Sequence, residues 1–396
     1  KALCQKLGNP QDKMRVISVV GTNGKFSTIA AMHSILKEAN LKCNVYTSPD
    51  ILRKNERFVF NNQELNDDEL ANLFEEVEEI NGGETATIFE MLTACFLYKA
   101  AQYPKNINLV ESGLFHRFDA TNVFKNNLAS VVCACSTDHT DWLPENDRTV
   151  ERIVFEKTSS LLNSNIIVAK QRDKETMECI KKTISKNQSN KYFFNEDFSF
   201  TNEENGYWYY EDKFGGLKLE TPNVLGQFQL ENISTAIATL RTLELGISDN
   251  HIKKGITKIK SIARLQEIKS GKLKDLVKNN KLIVDGSHNE HGAQVLNEYL
   301  ETLDCNKHII CSMMSNKDHE KFISYFKKIS SLTVTEMSTQ PNAIKGKDLL
   351  EKFKNIPNVY YQENIEQAIR SIPLKEGDLI IVTGSLYFAS EVLKLN

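Results

Sequence analysis

The chain alternates short apolar runs with segments in which apolar residues recur at helical spacing. Residues 14–20 are apolar and rich in β-branched side chains, residues 21–27 are mostly small or polar, and residues 28–39 carry apolar side chains three and four positions apart. This pattern predicts a strand, a loop and a helix. Two further strands are predicted at residues 107–110 and 129–135. Because these runs are nearly continuous, we expect a parallel sheet buried on both faces, with ligands beyond the carboxyl ends of its strands.

The same alternation starts again in the last third of the chain. Strands are predicted at residues 282–284, 308–311 and 379–382, and helices at residues 292–300 and 318–329. This repetition predicts a second α/β unit.

The 396-residue length favours two domains over one large barrel. Residues 251–270 are rich in lysine and lack an apolar face beyond their helical start, so we place the boundary between residues 262 and 263. Residues 191–219 are interpreted as short strands and turns appended to the first domain.

Composition and charge narrow the classes of partner. Lys and Arg number 49 against 52 Asp and Glu, a formal charge of −3, which argues against a general nucleic-acid or membrane surface. No apolar stretch is long enough to span a bilayer. The eight cysteines are scattered, and the close pair Cys133 and Cys135 lies in an apolar run, which indicates core thiols. We therefore expect a cytoplasmic protein with neither a zinc site nor a disulfide framework.

The segment Gly21-Thr-Asn-Gly-Lys-Phe-Ser-Thr28 joins a predicted strand to a predicted helix. Free backbone N–H groups and the helix dipole make such a junction an anion site, and Lys25 could reach phosphate oxygens. The spacing of the generic phosphate-binding loop is not met, because Val19 stands where Gly is required and Phe26 where Ser or Thr is required. A plain strand-to-helix turn therefore remains the alternative.

Other segments extend the pattern. The stretch Val20-Gly-Thr-Asn-Gly-Lys25 resembles the nucleotide loop of the folylpolyglutamate synthase and dihydrofolate synthase family, within the Mur ligase superfamily. Further matches follow in chain order: Tyr46-Thr-Ser-Pro49, Asn55-Glu-Arg57, Glu111-Ser-Gly-Leu114, Arg117-Phe-Asp-Ala-Thr-Asn-Val123, Asp138-His-Thr-Asp-Trp-Leu143, Glu156-Lys157, Gly226-Gln-Phe-Gln-Leu-Glu-Asn232, Ala263-Arg-Leu-Gln266, Asp285-Gly-Ser-His-Asn289, Lys317-Asp318 and Gly384-Ser-Leu-Tyr387. The resemblance spans nearly the whole chain.

The resemblance implies a fold and a reaction. The fold is a P-loop-type parallel-sheet ATP-binding domain at residues 1–262, the Mur-ligase-like central domain, and a smaller Rossmann-like α/β C-terminal domain at residues 263–396, the glutamate-ligase domain. The implied reaction uses ATP and Mg2+ to convert a folate or pteroate carboxylate into an acyl phosphate, which the amine of L-glutamate then attacks. Phosphoryl transfer of this kind depends on positioning and on neutralising charge.

The resemblance also implies roles for individual residues. The catalytic set is Lys25, Lys157 and His288. The ATP-binding set is Thr22, Asn23, Gly24, Lys25, Ser27, Thr28, Asn232, Arg264 and Asp285. Two Mg2+ ions are expected to use Ser48, Glu111, His139 and Lys157. Substrate contacts are expected from Arg57, Phe89, Ser385 and Tyr387.

Each metal candidate also has an ordinary structural interpretation. Ser48 could be a turn residue before Pro49, Glu111 a helix cap, and His139 a buried core histidine. On the strand pattern alone, Lys25, Glu111 and His139 follow the ends of three predicted strands and should converge.

Lys157 interrupts an apolar helical stripe formed by Val150, Ile153, Val154 and Leu161. One interpretation is snorkelling, with the stem packed and the ammonium group in solvent. The other is burial, which favours the neutral amine. A neutral amine can take up CO2, and the resemblance implies that the resulting carbamate helps to bind the second Mg2+.

The sequence departs from the family pattern near the expected site. Phe26 replaces a glycine, Asp50 a histidine, Phe115-His116 a glycine pair, Thr158-Ser159 an Ala-Gly pair, and Glu290 a proline. These changes leave open an altered substrate, reduced activity, or a silent nucleotide- or folate-binding paralogue; a Mur-type ligase with another acceptor is a further alternative. The working expectation is a monomeric enzyme with small-molecule substrates and no nucleic-acid or membrane partner.

Overall fold

The computed structural model describes residues 1–396. The chain divides into two compact units, one containing Lys1–Asn223 and Gln229–Lys260, the other containing Val224–Phe228 and Ser261–Asn396. The sequence pattern did not predict that residues 224–228 belong with the second unit. They do so because Phe228 packs against the hydrophobic core of that unit.

The first unit contains strands β1 to β11 and helices α1 to α8, except that the first two residues of α7 belong to the second unit. The strands are β1 (Arg15–Val20), β2 (Cys43–Tyr46), β3 (Phe58–Phe60), β4 (Gln63–Glu64), β5 (Ile107–Glu111), β6 (Ala129–Val132), β7 (Asn165–Val168), β8 (Lys191–Phe193), β9 (Phe198–Asn202), β10 (Tyr207–Asp212) and β11 (Gly215–Glu220). The helices are α1 (Ala2–Lys6), α2 (Lys25–Glu38), α3 (Asp67–Asn81), α4 (Ile88–Ala100), α5 (Val150–Thr158), α6 (Lys174–Ile184), α7 (Gln227–Arg241) and α8 (Asp249–Ile256).

Eight of these strands form one sheet in the order β4-β3-β2-β5-β1-β6-β7-β8. Parallel pairing joins the six neighbouring strands β2, β5, β1, β6, β7 and β8, whereas β3 and β4 form an antiparallel edge beside β2. All residues of β5 and β6 are buried, and in β1 only Arg15 is exposed. The prediction of a parallel sheet buried on both faces is confirmed. Strands β9 to β11 form a separate antiparallel sheet.

The second unit contains a six-stranded sheet in the order β12-β13-β17-β14-β15-β16, in which only β12 runs antiparallel to its neighbour. Its strands are β12 (Gln266–Glu267), β13 (Lys281–Val284), β14 (Lys307–Cys311), β15 (Ser331–Thr335), β16 (Val359–Gln362) and β17 (Leu379–Thr383). Its helices are α9 (Lys272–Val277), α10 (Glu290–Glu301), α11 (His319–Ile323), α12 (Gly346–Lys352), α13 (Ile365–Ser371) and α14 (Leu386–Leu395). The second α/β unit was predicted correctly.

Helix α2 begins three residues earlier than predicted, at Lys25 and not at Thr28. The apolar spacing starts only at residue 28, but Gly24 adopts a left-handed conformation with φ 88° and turns the chain directly into the helix. Lys25 therefore occupies the first helical turn.

Two other predicted elements are too long. Strand β6 ends at Val132, and the next residues pair with the loop after β1: the amides of Thr22 and Asn23 donate to the carbonyl of Ala134. The helix predicted at residues 318–329 covers only His319–Ile323. The hydroxyl of Ser324 donates to the carbonyl of Lys321 at 2.8 Å, a local bond that competes with helix continuation.

No helix of the structure combines the length and the apolar character needed to cross a membrane.

Candidate active site

Four loops of the first unit leave the same edge of its sheet. Strands β2, β5, β1 and β6 are consecutive neighbours and all parallel, so their carboxyl ends lie side by side. The chain enters this sheet at β1 and adds strands on both sides, and a parallel α/β sheet places its ligand site where the strand order reverses in this way. The predicted residues on these four loops therefore share one edge.

The loop after β1 is held in a fixed shape by the segment that follows β6. The hydroxyl of Thr22 donates to the carbonyl of Ser136 at 3.0 Å and accepts from its amide at 3.1 Å. At Gly21, φ is 145° and an added Cβ would lie 2.8 Å from Cys133 Cβ, so only glycine allows this close approach. The backbone of the loop is thus prearranged at the start of α2.

The start of α2 has the properties of an anion site. Gly24 is its N-cap and supplies no capping side chain, and the first turn contains no acidic residue. The Lys25 ammonium donates to the carbonyls of Gly21 at 3.1 Å and Thr22 at 3.2 Å, so it folds back over the loop. The N-terminal amides, the helix dipole and this cation together favour a bound phosphate.

Asn232 of α7 lies against the same loop. A Cβ built on Gly24 would be 2.5 Å from Asn232 Oδ1. The structure therefore brings together Gly24 and Asn232, two residues of the predicted ATP-binding set.

Two other residues of that set point into the protein. Ser27 and Thr28 are buried, and the Thr28 hydroxyl lies 3.5 Å from Cys133 Sγ. Their contact with ATP stays a prediction. Phe26, also in the first turn of α2, is partly exposed.

Glu111 is the last residue of β5 and is buried. Its Oε2 accepts from the amide of Ser48 at 3.1 Å, and its Oε1 lies 3.9 Å from Lys25 Nζ. The structure thus brings together Ser48, Glu111 and Lys25. The alternative interpretation of Glu111 as a helix cap is wrong, because the residue ends a strand.

The donor set fits a Mg2+ ion that takes most of its ligands from phosphate and water. No group of three or more His, Cys, Asp or Glu side chains is arranged to hold a metal by itself. Mg2+ in nucleotide sites commonly uses one or two carboxylates together with phosphate oxygens and waters. Glu111, one buried carboxylate beside the phosphate-loop lysine, meets that requirement.

His139 lies on the loop after β6, in a left-handed backbone conformation with φ 54°. Its Nε2 is 3.9 Å from Asp138 Oδ2, and its side chain is 30 % exposed. The alternative of a buried core histidine is therefore wrong. That His139 joins Glu111 at a metal stays a prediction.

Lys157 does not snorkel. It is 2 % exposed, and its ammonium donates to the carbonyls of Gly21 at 3.0 Å and Leu114 at 2.5 Å, with the Phe115 ring centroid 5.3 Å away. Burial, followed by the positive charge of Lys25, lowers the Lys157 pKa to about 8. Lys157 thus connects α5 to the loops after β1 and β5 and is partly neutral near physiological pH.

The loop after β5 contains a carboxylate to which the sequence pattern gave no role. The Asp119 carboxylate accepts from the amides of Gly113 and Thr121 and from the Thr121 hydroxyl. Burial raises the Asp119 pKa, although these hydrogen bonds oppose the rise. The Asp-x-Thr spacing is a usual signal of such a turn and could have revealed it. Phe89, a predicted substrate residue, packs here, with ring atoms 3.0 Å from the Cβ position of Gly113.

His116 and Glu156 attach this loop to α5. His116 is buried, its Nδ1 is 3.2 Å from the Ser112 hydroxyl, and burial together with the charge of Lys157 lowers its pKa to about 4. Glu156 accepts two hydrogen bonds from the Arg117 guanidinium, at 2.8 and 2.6 Å, in the fork geometry that arginine favours. Where the resemblance implies a glycine pair, Phe115 and His116 thus make contacts of their own.

Arg57 lies at the end of the loop after β2. Its Nε donates to Asp50 Oδ1 at 2.6 Å. Burial raises the Asp50 pKa, but the charges and hydrogen bonds of Arg57 and Lys54 outweigh it and lower the value overall. The predicted substrate residue is therefore paired with the very residue that departs from the family pattern.

In the second unit, Asp285 follows β13 and fixes the backbone around it. Its two carboxylate oxygens accept from the amides of Leu265 and Ser287, both at 2.9 Å. Arg264 stands between Ala263 and Leu265, which both have positive φ values. Asp285 thus holds the segment that presents Arg264, and a direct contact of either with ATP stays a prediction.

The remaining predicted residues of this unit lie on neighbouring loops. His288 Nδ1 donates to the carbonyl of Gly286 at 2.8 Å. Ser385 is buried and caps α14 by accepting from the amide of Tyr387, whereas the Tyr387 side chain is 42 % exposed. The structure assigns Ser385 a capping role, and its substrate contact stays a prediction.

Comparison with known proteins agrees with this arrangement. Residues 271–386 match the family model of the Mur ligase glutamate ligase domain. A phosphate loop at the edge of a parallel sheet, followed by a glutamate ligase domain, defines an ATP-dependent amide ligase of the Mur type.

Similarity over the whole chain is more specific. The dihydrofolate synthase/folylpolyglutamate synthase of Bacillus subtilis is 30 % identical over 423 residues, which cover 100 % of this chain and 93 % of that protein. The structure of Escherichia coli FolC in complex with DHPP and ADP has a TM-score of 0.87 and 27 % identity, covering 99 % of this chain and 91 % of that one. The Yersinia pestis bifunctional enzyme complexed with AMPPNP and Mn ion has a TM-score of 0.86 and 25 % identity, covering 99 % and 91 %. The chain belongs to the dihydrofolate synthase/folylpolyglutamate synthase family.

Proposed function

We propose that this protein is an ATP-dependent ligase that adds L-glutamate to folate and also joins glutamate to dihydropteroate. The observation that carries the proposal is the phosphate loop, with Lys25 in the first turn of α2 and 3.9 Å from the buried Glu111. Family membership supplies the substrate class. The eight cysteines form no disulfide, in keeping with a reducing cytoplasm.

The reaction has two steps. In the first, an oxygen of the acceptor carboxylate attacks the γ-phosphorus of ATP and ADP leaves. In the second, the glutamate nitrogen attacks the acyl carbon, inorganic phosphate leaves and the nitrogen loses a proton. Lys25 and the N-terminal amides of α2 stabilise the charge on the transferring phosphoryl group. Glu111, with Ser48 beside it, would hold a Mg2+ ion, which would supply neutralisation of phosphate charge.

The test is to supply ATP, Mg2+ and L-glutamate with either dihydropteroate or tetrahydrofolate and to identify products by mass. We expect addition of one glutamyl residue and release of one phosphate per bond. ATP or folate binding without product would instead identify a silent binding protein. Phe26, at the position of the family glycine, motivates that second candidate because its side chain stands in the first turn of the phosphate-binding helix.

We further propose that a carbamate on Lys157 contributes to a second metal site. Carbamylation requires a neutral amine, and burial with a pKa of about 8 supplies one. A carbamate keeps a single N–H and adds oxygen acceptors, so the side chain must release at least one of the carbonyls of Gly21 and Leu114 that its ammonium now contacts.

Lys157→Ala tests this proposal. The variant should lose turnover and regain part of it with formate or acetate, whose oxygens can replace the carbamate. Intact-protein mass with and without bicarbonate should show a CO2 adduct on the parent that the variant lacks. Full activity of Lys157→Ala, or no adduct and no rescue, would contradict a carbamate.

A further inference from the structure

Asp50 and Arg57 form an ion pair at the edge of the sheet that carries the candidate active site. Asp50 Oδ1 accepts from Arg57 Nε at 2.6 Å and from Lys54 Nζ at 3.2 Å. The side chains of Asp50 and Arg57 are 21 % and 11 % exposed, whereas Lys54 is 59 % exposed. The pair is therefore partly shielded from solvent, and Lys54 is a peripheral third member.

Several hydrogen bonds hold the loop that carries this pair. Glu56 accepts hydrogen bonds from the amides of Ile51, Leu52 and Arg53. Asn55 is buried and donates to the carbonyl of Leu65 and to the carboxylate of Asp67. These bonds fix the backbone on either side of the ion pair, so the position of Arg57 depends on its side-chain partner.

Asp50 engages only one side of the Arg57 guanidinium. The hydrogen bond uses Nε, and the terminal nitrogens Nη1 and Nη2 make no hydrogen bond within the protein. Neither terminal nitrogen is among the buried polar atoms that lack a partner. The guanidinium thus presents two accessible donors, the edge with which arginine binds a carboxylate.

The charge of Arg57 reaches Tyr46, which packs against the candidate substrate residue Phe89. Its charge and that of Asp119 both act on the buried Tyr46 hydroxyl, whose pKa is raised mainly by burial. The Tyr46 ring is 6.2 Å from the Phe89 ring, and Phe89 packs on Gly113. Tyr46 thus stands between the charge of Arg57 and the Phe89 ring that packs on the loop after β5.

We propose that Asp50 is a specificity residue: it orients Arg57 to bind one carboxylate of the acceptor, and its own negative charge disfavours the additional carboxylates of a longer polyglutamate tail. This proposal rests on the proposed function, because it names the class of acceptor at the same site. A histidine at this position, as the family resemblance implies, would supply no negative charge. Asp50 should therefore lower the affinity for longer polyglutamates more than it lowers the affinity for the folate acceptor with one glutamate.

The experiment compares equilibrium binding of tetrahydrofolate carrying one glutamate and three glutamates to the full chain. Asp50→Asn keeps an oxygen for Arg57 Nε and removes the charge, so it should raise the affinity for the triglutamate relative to the monoglutamate on the order of fivefold, the effect of one screened like charge. Asp50→Ala also removes the acceptor and should weaken monoglutamate binding, and Arg57→Ala should weaken both ligands. Asp12→Asn removes a carboxylate from the surface pair with Lys125 and serves as the matched control.

An unchanged ratio of triglutamate to monoglutamate affinity in Asp50→Asn would overturn the proposal. A purely structural role predicts that Asp50→Asn and Asp50→Ala lose affinity for both ligands equally, and that result would overturn it too. If Asp50→Asn does not fold, Asp50→His removes the same charge and must raise the same ratio. Failure of the proposed function is a different result: the parent protein would bind folates but form no glutamyl product.

Discussion

Replacing Gly24 by alanine should separate phosphate binding from stability. Gly24 has φ 88° and ψ −13° and is the N-cap of α2. An alanine held in the left-handed region costs about 1–2 kcal/mol of backbone free energy. In addition, its Cβ would lie 2.5 Å from Asn232 Oδ1, so the amide must retreat by about 0.9 Å to reach ordinary contact. The added methyl and the displaced Asn232 both lie where we place the ATP phosphates.

The matched control is Gly82→Ala. Gly82 is the C-cap of α3, has φ 71°, and an added Cβ there meets nothing within 4 Å. Gly82→Ala should therefore lose about 1–2 kcal/mol in the unfolding free energy of the first unit, and Gly24→Ala at least as much, because its Cβ also displaces Asn232. Only Gly24→Ala should also lose ATP affinity, by about tenfold or more, which corresponds to about 1.4 kcal/mol.

The assays are chemical denaturation followed by Trp fluorescence and calorimetric titration with ATP and Mg2+. An unchanged ATP affinity in Gly24→Ala would refute the assignment of Gly24 to the phosphate site. A loss of ATP affinity in Gly82→Ala as large as in Gly24→Ala would refute the separation, because it would make the loss a consequence of destabilisation.

Three further substitutions test neighbouring positions. Lys25→Ala should abolish ligase turnover with little change in the unfolding midpoint, and an active variant would remove Lys25 from phosphoryl transfer. Phe26→Gly should tighten ATP binding or raise turnover, and it should cost about 1 kcal/mol of stability because glycine is unfavourable in a helix. Weaker ATP binding in calorimetry would show that Phe26 supports the site. Glu111→Gln should raise the Mg2+ concentration needed for half-maximal turnover by about tenfold or more, and an unchanged Mg2+ titration would exclude Glu111 as a ligand.

The periodic part of the fold could be predicted from sequence because it depends on burial. Strands β1, β5 and β6 are mostly apolar and almost entirely buried, and this pattern predicts a parallel sheet. The start of α2 could not be placed in the same way, because a left-handed glycine sets it and no apolar residue marks it. Hydrophobic periodicity locates buried faces, whereas caps and turns follow from single backbone conformations.

The sequence could predict which loops meet at the candidate site, but not how the side chains on one loop pair. Loops after neighbouring parallel strands meet at one edge, and Lys25, Ser48 and Glu111 do lie together there. Pairings between side chains on one irregular loop could not be derived, because no periodic rule relates Asp50 to Arg57. Such contacts depend on the closed shape of the loop, which distant backbone bonds establish.

At Lys157, burial decides between the two interpretations that the sequence leaves open. A lysine in an apolar stripe can extend to solvent at little cost, but here two carbonyls hold the ammonium inside the protein. Lowering its pKa from an ordinary value near 10.4 to about 8 corresponds to a cost on the order of 3 kcal/mol for the charged form. Because that pKa is depressed on folding, this cost is fully present below pH 8 and declines as the pH rises from 8 towards 10. Methionine or leucine would fill a similar volume without the cost, so packing alone does not account for the residue. A buried, partly neutral amine beside the phosphate loop is therefore better explained by chemistry at the site than by stability of the fold.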